Sequence, residues 1–224
     1  MNSDTLLYVN GKRLTRHESQ QLTRVKLVDA AERVFVRAGF DAASVEQIAA
    51  AAGFSRGAFY SNFKSKGEIF LALLDRKRSE RENALNAIFE EKPDAHARFR
   101  AARDWYADQW RERSWSVLET EFNLRALRQR SLARRLSALW RREVHAYSAF
   151  LSQYFSDAGL QPVESPRSIT LALLAAAHGF GMLALLPAGA VAESTVAHSS
   201  TLTFDRLVPA PPAAAPRRAR KDKR

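Results

Sequence analysis

Residues 44–66 read SVEQIAAAAGFSRGAFYSNFKSK, and three helix starts follow one another within them. Ser44 and Gln47 fit a capping box, in which the Ser side chain takes a first-turn N–H and the Gln reaches back. Val45, Ile48, Ala49 and Ala52 then recur at helical spacing, and Gly53 stands where the helix must end and the chain turn with positive φ. Ser55 is placed to cap a second helix running to about Asn62, and Ser65 with Glu68 predicts another capping box opening a third. Two helices joined by a Gly-containing turn predict a helix-turn-helix, the unit that lays its second helix in the major groove of DNA.

The spacing also says which side of that second helix faces outward. Phe59 and Phe63, four apart, point toward Ile48 and Ala49, which leaves Arg56, Gly57 and Tyr60 on the opposite stripe. An Arg guanidinium matches guanine O6 and N7, a Tyr offers a ring to a thymine methyl and a hydroxyl to a phosphate, and Gly lets backbone come close. Ser44, Ser55 and Lys66 lie at helix starts, where free N–H groups and the helix dipole favour a phosphate.

From Thr23 to Leu74 the chain closely resembles the N-terminal DNA-binding domain of TetR-type repressors, with the blocks DAAERVF, AGFDAASV, IAAAAGFS, AFYSNF and KSKGE all present. The resemblance implies an all-helical homodimeric transcription factor, usually a repressor released by a small ligand. It places the family's phosphate contacts on Ser44, Tyr60 and Lys66. Its base readers fall on Ser55, Arg56, Gly57 and Asn62. The ends of the chain go beyond the minimal family pattern.

Composition agrees without the resemblance. A chain of 224 residues divides naturally into a small head and a larger body. The expected division is an N-terminal arm at 1–19, a helix-turn-helix domain at 20–66, a ligand-binding and dimerisation domain at 67–207, and a disordered basic tail at 208–224. Cysteine is absent, which removes disulfides, thiolate metal sites and cysteine nucleophiles together. No apolar export segment follows Met1, so the expected location is the cytoplasm. Residues 1–78 hold 13 Lys and Arg against 8 Asp and Glu, and residues 208–224 hold 6 against 1, whereas the stretch between is nearly balanced. Basic ends on a neutral body are the electrostatic footprint of a nucleic-acid binder.

The pattern is helical throughout, so the fold class is all-α. The first helix is expected at Gln20–Ala38, and the helix opened by Ser65 continues to about Glu91. Helices follow at Asp94–Glu112, Ser114–Gln129, Ser131–Ala158 and Val191–Leu207. The Ser131–Ala158 helix sets a broad apolar stripe opposite Arg134, Arg135, Arg141 and Arg142. Residues 169–186 carry no charge over 18 positions, long enough to raise a membrane span. Thr170, His178, Gly179 and Gly181 interrupt the run, and its neighbours are amphipathic like those of bundles in water, so no membrane is expected as a partner. Two readings of this helix remain open: a core helix covered on all sides or, as the resemblance implies, one whose face meets the same helix of a second subunit.

Residues 53–57, GFSRG, match the G-x-S-x-G elbow of serine hydrolases, but that motif needs a strand before the serine and a helical pattern precedes it here. The histidines form no H-x-x-x-H or H-E-x-x-H pair, so neither catalysis, a metal nor a cofactor is expected. A small-molecule effector is expected instead, held between helices of the body. Trp105, Trp110, Trp115, Phe122 and Tyr147 are candidates to line that site, with His145, His178 and Glu119 as polar groups. For any single aromatic, core is the reading favoured over ligand contact. The function expected from these residues and from the resemblance is a homodimeric, ligand-responsive repressor that a small ligand releases from a palindromic DNA operator. Activation in place of repression, nonspecific architectural binding and a membrane-attached regulator are the alternatives. Lys12, Arg13 and Arg16 form an arm that either reaches phosphates or remains solvated.

Overall fold

The computed structural model describes residues 8–9, 12–13, 15–187 and 190–212, and within them the fold is a stack of nine α-helices. They are α1 (Arg16–Ala42), α2 (Val45–Ala51), α3 (Arg56–Asn62), α4 (Lys66–Glu91), α5 (Ala95–Asp108), α6 (Arg113–Leu127), α7 (Arg130–Asp157), α8 (Pro166–Leu183) and α9 (Glu193–Leu207). A 3₁₀ turn, Gln109–Arg111, joins α5 to α6. The backbone ahead of α1 pairs two short strands, β1 (Tyr8–Val9) and β2 (Lys12–Arg13), in an antiparallel ladder.

The first helix starts at Arg16, four residues before the expected Gln20, because Thr15 and Glu18 close a capping box there: Thr15 accepts from Glu18 N–H and the Glu18 carboxylate accepts from Thr15 N–H. The helical surface thus takes in part of what the spacing assigned to an arm. Leu27, Val28, Ala31, Val34 and Phe35 form its buried stripe. Its far end turns at Gly39 with φ +77, a conformation a side chain would oppose. That turn drives Phe40 inward among Phe35, Phe70 and Phe122, at ring separations of 5.5, 5.2 and 5.3 Å. Phe40 N–H donates to Glu121 on α6 at 2.9 Å.

One apolar cluster runs from the head through α4 into α6 and α7, joining Ile48, Phe59 and Phe63 to Trp115, Phe122 and Leu136. The head therefore shares its core with the body, and a boundary drawn at residue 66 crosses continuous packing. Ion pairs reinforce the junction. Arg76 pairs with Asp29 and with Glu32, and Lys77 bridges Glu32 at 2.9 Å and Glu112 at 3.1 Å. Arg125 reaches Asp41 at 2.8 Å.

A second cluster fills the space between α5, α7, α8 and α9, with Tyr106, Tyr154, Ile169 and Phe204 at its centre. The four arginines expected on the outer side of α7 are exposed, and Arg135 and Arg142 pair with Glu68 and Asp75 of α4. Helix α8 starts at Pro166 behind a Ser165 cap, earlier than the apolar run itself. It is covered on one side only. Ile169, Thr170, Leu173 and Gly181 are buried, whereas Leu171, Ala175, Gly179, Met182 and Leu183 lie open. Among the described residues no helix is long and apolar enough to cross a membrane.

The tail boundary expected at residue 208 falls within packed structure. Val208 is 1% exposed, and the Tyr154 hydroxyl donates to the Pro209 carbonyl at 2.8 Å, so this segment closes the body. The basic run beyond residue 212 lies outside the described residues.

Candidate nucleic-acid interface and inner cavity

The expected helix-turn-helix forms as α2 and α3 joined through Gly53 at φ +77. Ser44 Oγ accepts from Gln47 N–H while Gln47 answers Ser44 N–H, and Ser55 caps α3 through Ala58 N–H. Phe59 is buried against Ile48 and Ala49, which turns Arg56, Gly57 and Tyr60 outward together. The Arg56 side chain is 65% exposed, 3.2 Å from Glu46 of α2 and 5.4 Å from the Tyr60 ring centroid. A pair this exposed contributes little and can be exchanged for a base or phosphate.

Two of the expected contact residues are placed otherwise. Asn62 turns its amide into its own helix, donating to the Ala58 carbonyl at 2.9 Å, while its Oδ1 is buried without a partner. Lys66 lies at the start of α4, but its ammonium donates to the Asp41 and Ala43 carbonyls at 2.9 and 2.7 Å. It closes the C-terminus of α1, and burial lowers its pKa. Ser65 caps α4 as expected, yet Glu68 accepts from Lys64 N–H at 2.6 Å, not from Ser65, so the box is only half formed.

Behind the head, between α4 and the helices α5 to α9, lies a cavity of about 100 Å³. Its walls are aromatic, with Phe89, Phe99, Trp105, Tyr106, Phe150 and Phe204 among them. One end is charged. Arg78 lies buried 3.4 Å from Glu119 and 3.1 Å from Glu143, and His178 Nε2 stands 3.5 Å from the same Glu119 oxygen. Burial works to raise the Glu119 pKa, but the His178 contact, with Arg81 and Arg78, outweighs it and holds the carboxyl well below its usual range. For Glu143 burial wins over Arg78 and the pKa rises. His178 is raised because its contact with Glu119 overcomes burial.

Of the residues expected to line an effector site, Trp105, Trp115, Tyr147, His178 and Glu119 do face this cavity. Trp110 does not: it packs in a separate cluster with Ala184 and Val196. Phe122 is sealed in the core shared with the head, and His145 is exposed on the outer side of α7. Arg78, Arg81 and Glu143 are the charged groups that sequence reading missed. A signal was present, since Arg78 follows Leu71 and Leu74 on the buried stripe of α4, and Glu143 falls between Leu139 and Leu151 on that of α7. A charge on an apolar stripe marks an internal pair or a site.

Residues 27–73 match the family model described as bacterial regulatory proteins, tetR family. The HTH-type transcriptional regulator TtgR of Pseudomonas putida is 43% identical over 63 residues, 28% of this chain and 30% of that protein. The HTH-type transcriptional activator FasR of Mycolicibacterium smegmatis is 36% identical over 98 residues, 44% of this chain and 43% of the relative. The chain thus matches less than half the length of either relative. FadR of Bacillus subtilis, solved in complex with stearoyl-CoA, superposes with a TM-score of 0.64 over 83% of this chain and 97% of its own, at 16% identity. At that identity the likeness is one of fold alone.

Proposed function

Because the chain carries the N-terminal domain of the tetR family of bacterial regulatory proteins over residues 27–73, we propose that it is a cytoplasmic, homodimeric transcriptional regulator that binds a palindromic operator and leaves it when a small molecule enters the inner cavity. The observation that carries this reading is the outward stripe Arg56, Gly57 and Tyr60 on the second helix of the motif. The bare side of α8 supports the dimer. Leu171, Met182 and Leu183 form an exposed apolar strip around Ala175 and Gly179, small enough for a second helix to approach closely, and two-fold symmetry would cover both copies at once.

The cavity supports ligand control. Trp115 and Glu119 of α6 line it, and the next turns of the same helix hold the end of α1 through Glu121 and Arg125. A shift of α6 on occupancy would therefore move the head. Half-sites on one duplex face lie roughly 34 Å apart or a multiple, so a displaced head loses simultaneous docking. The sign of regulation follows from operator position, and a relative with a similar head is named an activator.

The deciding experiment is selection of genomic fragments bound by the purified protein, followed by footprinting of the enriched site. A palindrome protected over two half-sites, with affinity at least about 10³ above random DNA, is the expected result. Equal affinity for all duplexes, with only a salt dependence, would replace this reading by nonspecific binding.

A further inference from the structure

The charged end of the cavity carries more than its structural pairing requires. Four helices bring Arg81 of α4, Glu119 of α6, Glu143 and Tyr147 of α7 and His178 of α8 to it, with Arg78 buried behind the two carboxylates. Both carboxylates are already engaged, Glu143 by Arg78, and Glu119 by Arg78 and His178. Arg81 lines the cavity, is half-buried, and makes no ion pair or hydrogen bond among the described residues. The other vacancies here are chiefly donors: Trp115 Nε1 and Tyr147 Oη are buried without partners, as is Arg78 Nη1. Of the acceptors at this end, Glu143 Oε2 already lies 3.1 Å from Arg78 Nε, and His178 Nε2, an acceptor only in the neutral ring, faces Glu119 at 3.5 Å.

Charge and size then select a ligand class. Two arginines, joined by His178 when it is protonated, face two carboxylates, so the balance at this end is neutral to positive; Arg81 acts on Glu119 and Glu143 only through space and is the guanidinium without a direct partner. A cationic head would meet Arg81 without a free carboxylate to repay it; an anionic head would meet a guanidinium and unfilled donors. The remaining wall is aromatic, and about 100 Å³ is of the order of a cavity that takes one small ring. We propose that the effector is a compact ring-bearing carboxylic acid whose carboxylate is received by Arg81 and whose ring lies among Trp105, Tyr106 and Phe150. This rests on the reading of the cavity as the effector site.

The test is calorimetric titration of the full chain, without DNA, with three probes of one skeleton: phenylacetate, 2-phenylethanol and 2-phenylethylamine. Phenylacetate should bind at least about tenfold tighter than the amine, with the alcohol between them. Arg81→Gln should remove the lead of phenylacetate over 2-phenylethanol and leave the alcohol's Kd unchanged. Tightest binding of the amine, binding of none of the three, or an Arg81→Gln protein that keeps the acid's lead would each overturn the proposal. Should Arg81→Gln fail to fold, the order of the three probes on the unaltered chain decides alone. A chain that shows the expected order but holds its operator in saturating phenylacetate would sink ligand-controlled release and leave this assignment of the cavity standing.

Discussion

Replacing Arg78 by Leu should be among the most damaging single changes to this fold, and its cost should depend on pH in a defined direction. The Arg78 side chain is 7% exposed, 3.4 Å from Glu119 and 3.1 Å from Glu143, and lies 4.6 Å from the Trp140 ring centroid. Leucine fills similar space but leaves two carboxylates facing one another in a buried site, and removing one partner of a buried pair costs about 3–5 kcal/mol. For a chain of this size that corresponds to a fall in Tm of about 6–20 °C. Glu143, which Arg78 partly holds down against burial, then has a folded pKa further above its unfolded one, whereas Glu119 keeps His178 and Arg81. A group raised in this way favours the folded state below the unfolded pKa and penalises it as pH rises through the folded pKa. Glu143 already tends this way, its pKa raised by burial in the unaltered chain. The deficit should therefore be largest near pH 8 and shrink toward pH 5, and Arg78→Leu combined with Glu119→Gln and Glu143→Gln should recover most of it. Thermal unfolding followed by circular dichroism at both pH values checks this. A loss under about 1 kcal/mol at pH 8, or one that does not change with pH, would refute the account of the cluster as mutually neutralising.

Arg56→Ala should cost about 1–3 kcal/mol of operator binding and relax preference at one base pair per half-site, read by fluorescence anisotropy on a set of base-substituted operators. Glu46→Gln should instead strengthen binding by up to about 1 kcal/mol, because it frees Arg56 from its exposed pair; unchanged sequence preference in Arg56→Ala would remove that residue from the readout. Gly179→Arg should yield a folded monomer by sedimentation, since a Cβ at this position meets nothing within 4 Å in the single chain. Leu174, which faces the cavity, would not make the same test. Truncation after Leu207 should lower Tm by removing buried Val208 and the Tyr154–Pro209 hydrogen bond, whereas truncation after residue 212 should leave Tm unchanged and reduce only the salt slope of DNA binding.

Local signals alone settled the helix-turn-helix. Ser44, Gln47, Ser55 and Gly53 act on backbone groups within four residues of themselves, and the side of α3 that faces outward follows from a 3.6-residue period. The helical body and its breaks were legible for the same reason, since apolar spacing, Pro166 and the glycine turns are properties of a short window. Tertiary packing decided what each side chain does once several helices meet. Lys66 and Asn62 stand in contact positions by register, but the end of α1 takes the ammonium of one and α3 itself takes the amide of the other. Phe122 and Trp105 are alike in sequence pattern, yet α6 carries the first into the core shared with the head and α5 carries the second to the cavity. The charged end of that cavity is assembled from α4, α6, α7 and α8, so the sequence shows its parts as isolated charges on apolar stripes. Their mutual neutralisation depends on distances of 3–4 Å between residues up to 65 positions apart in the chain, and Arg81 is left at their edge without such a contact.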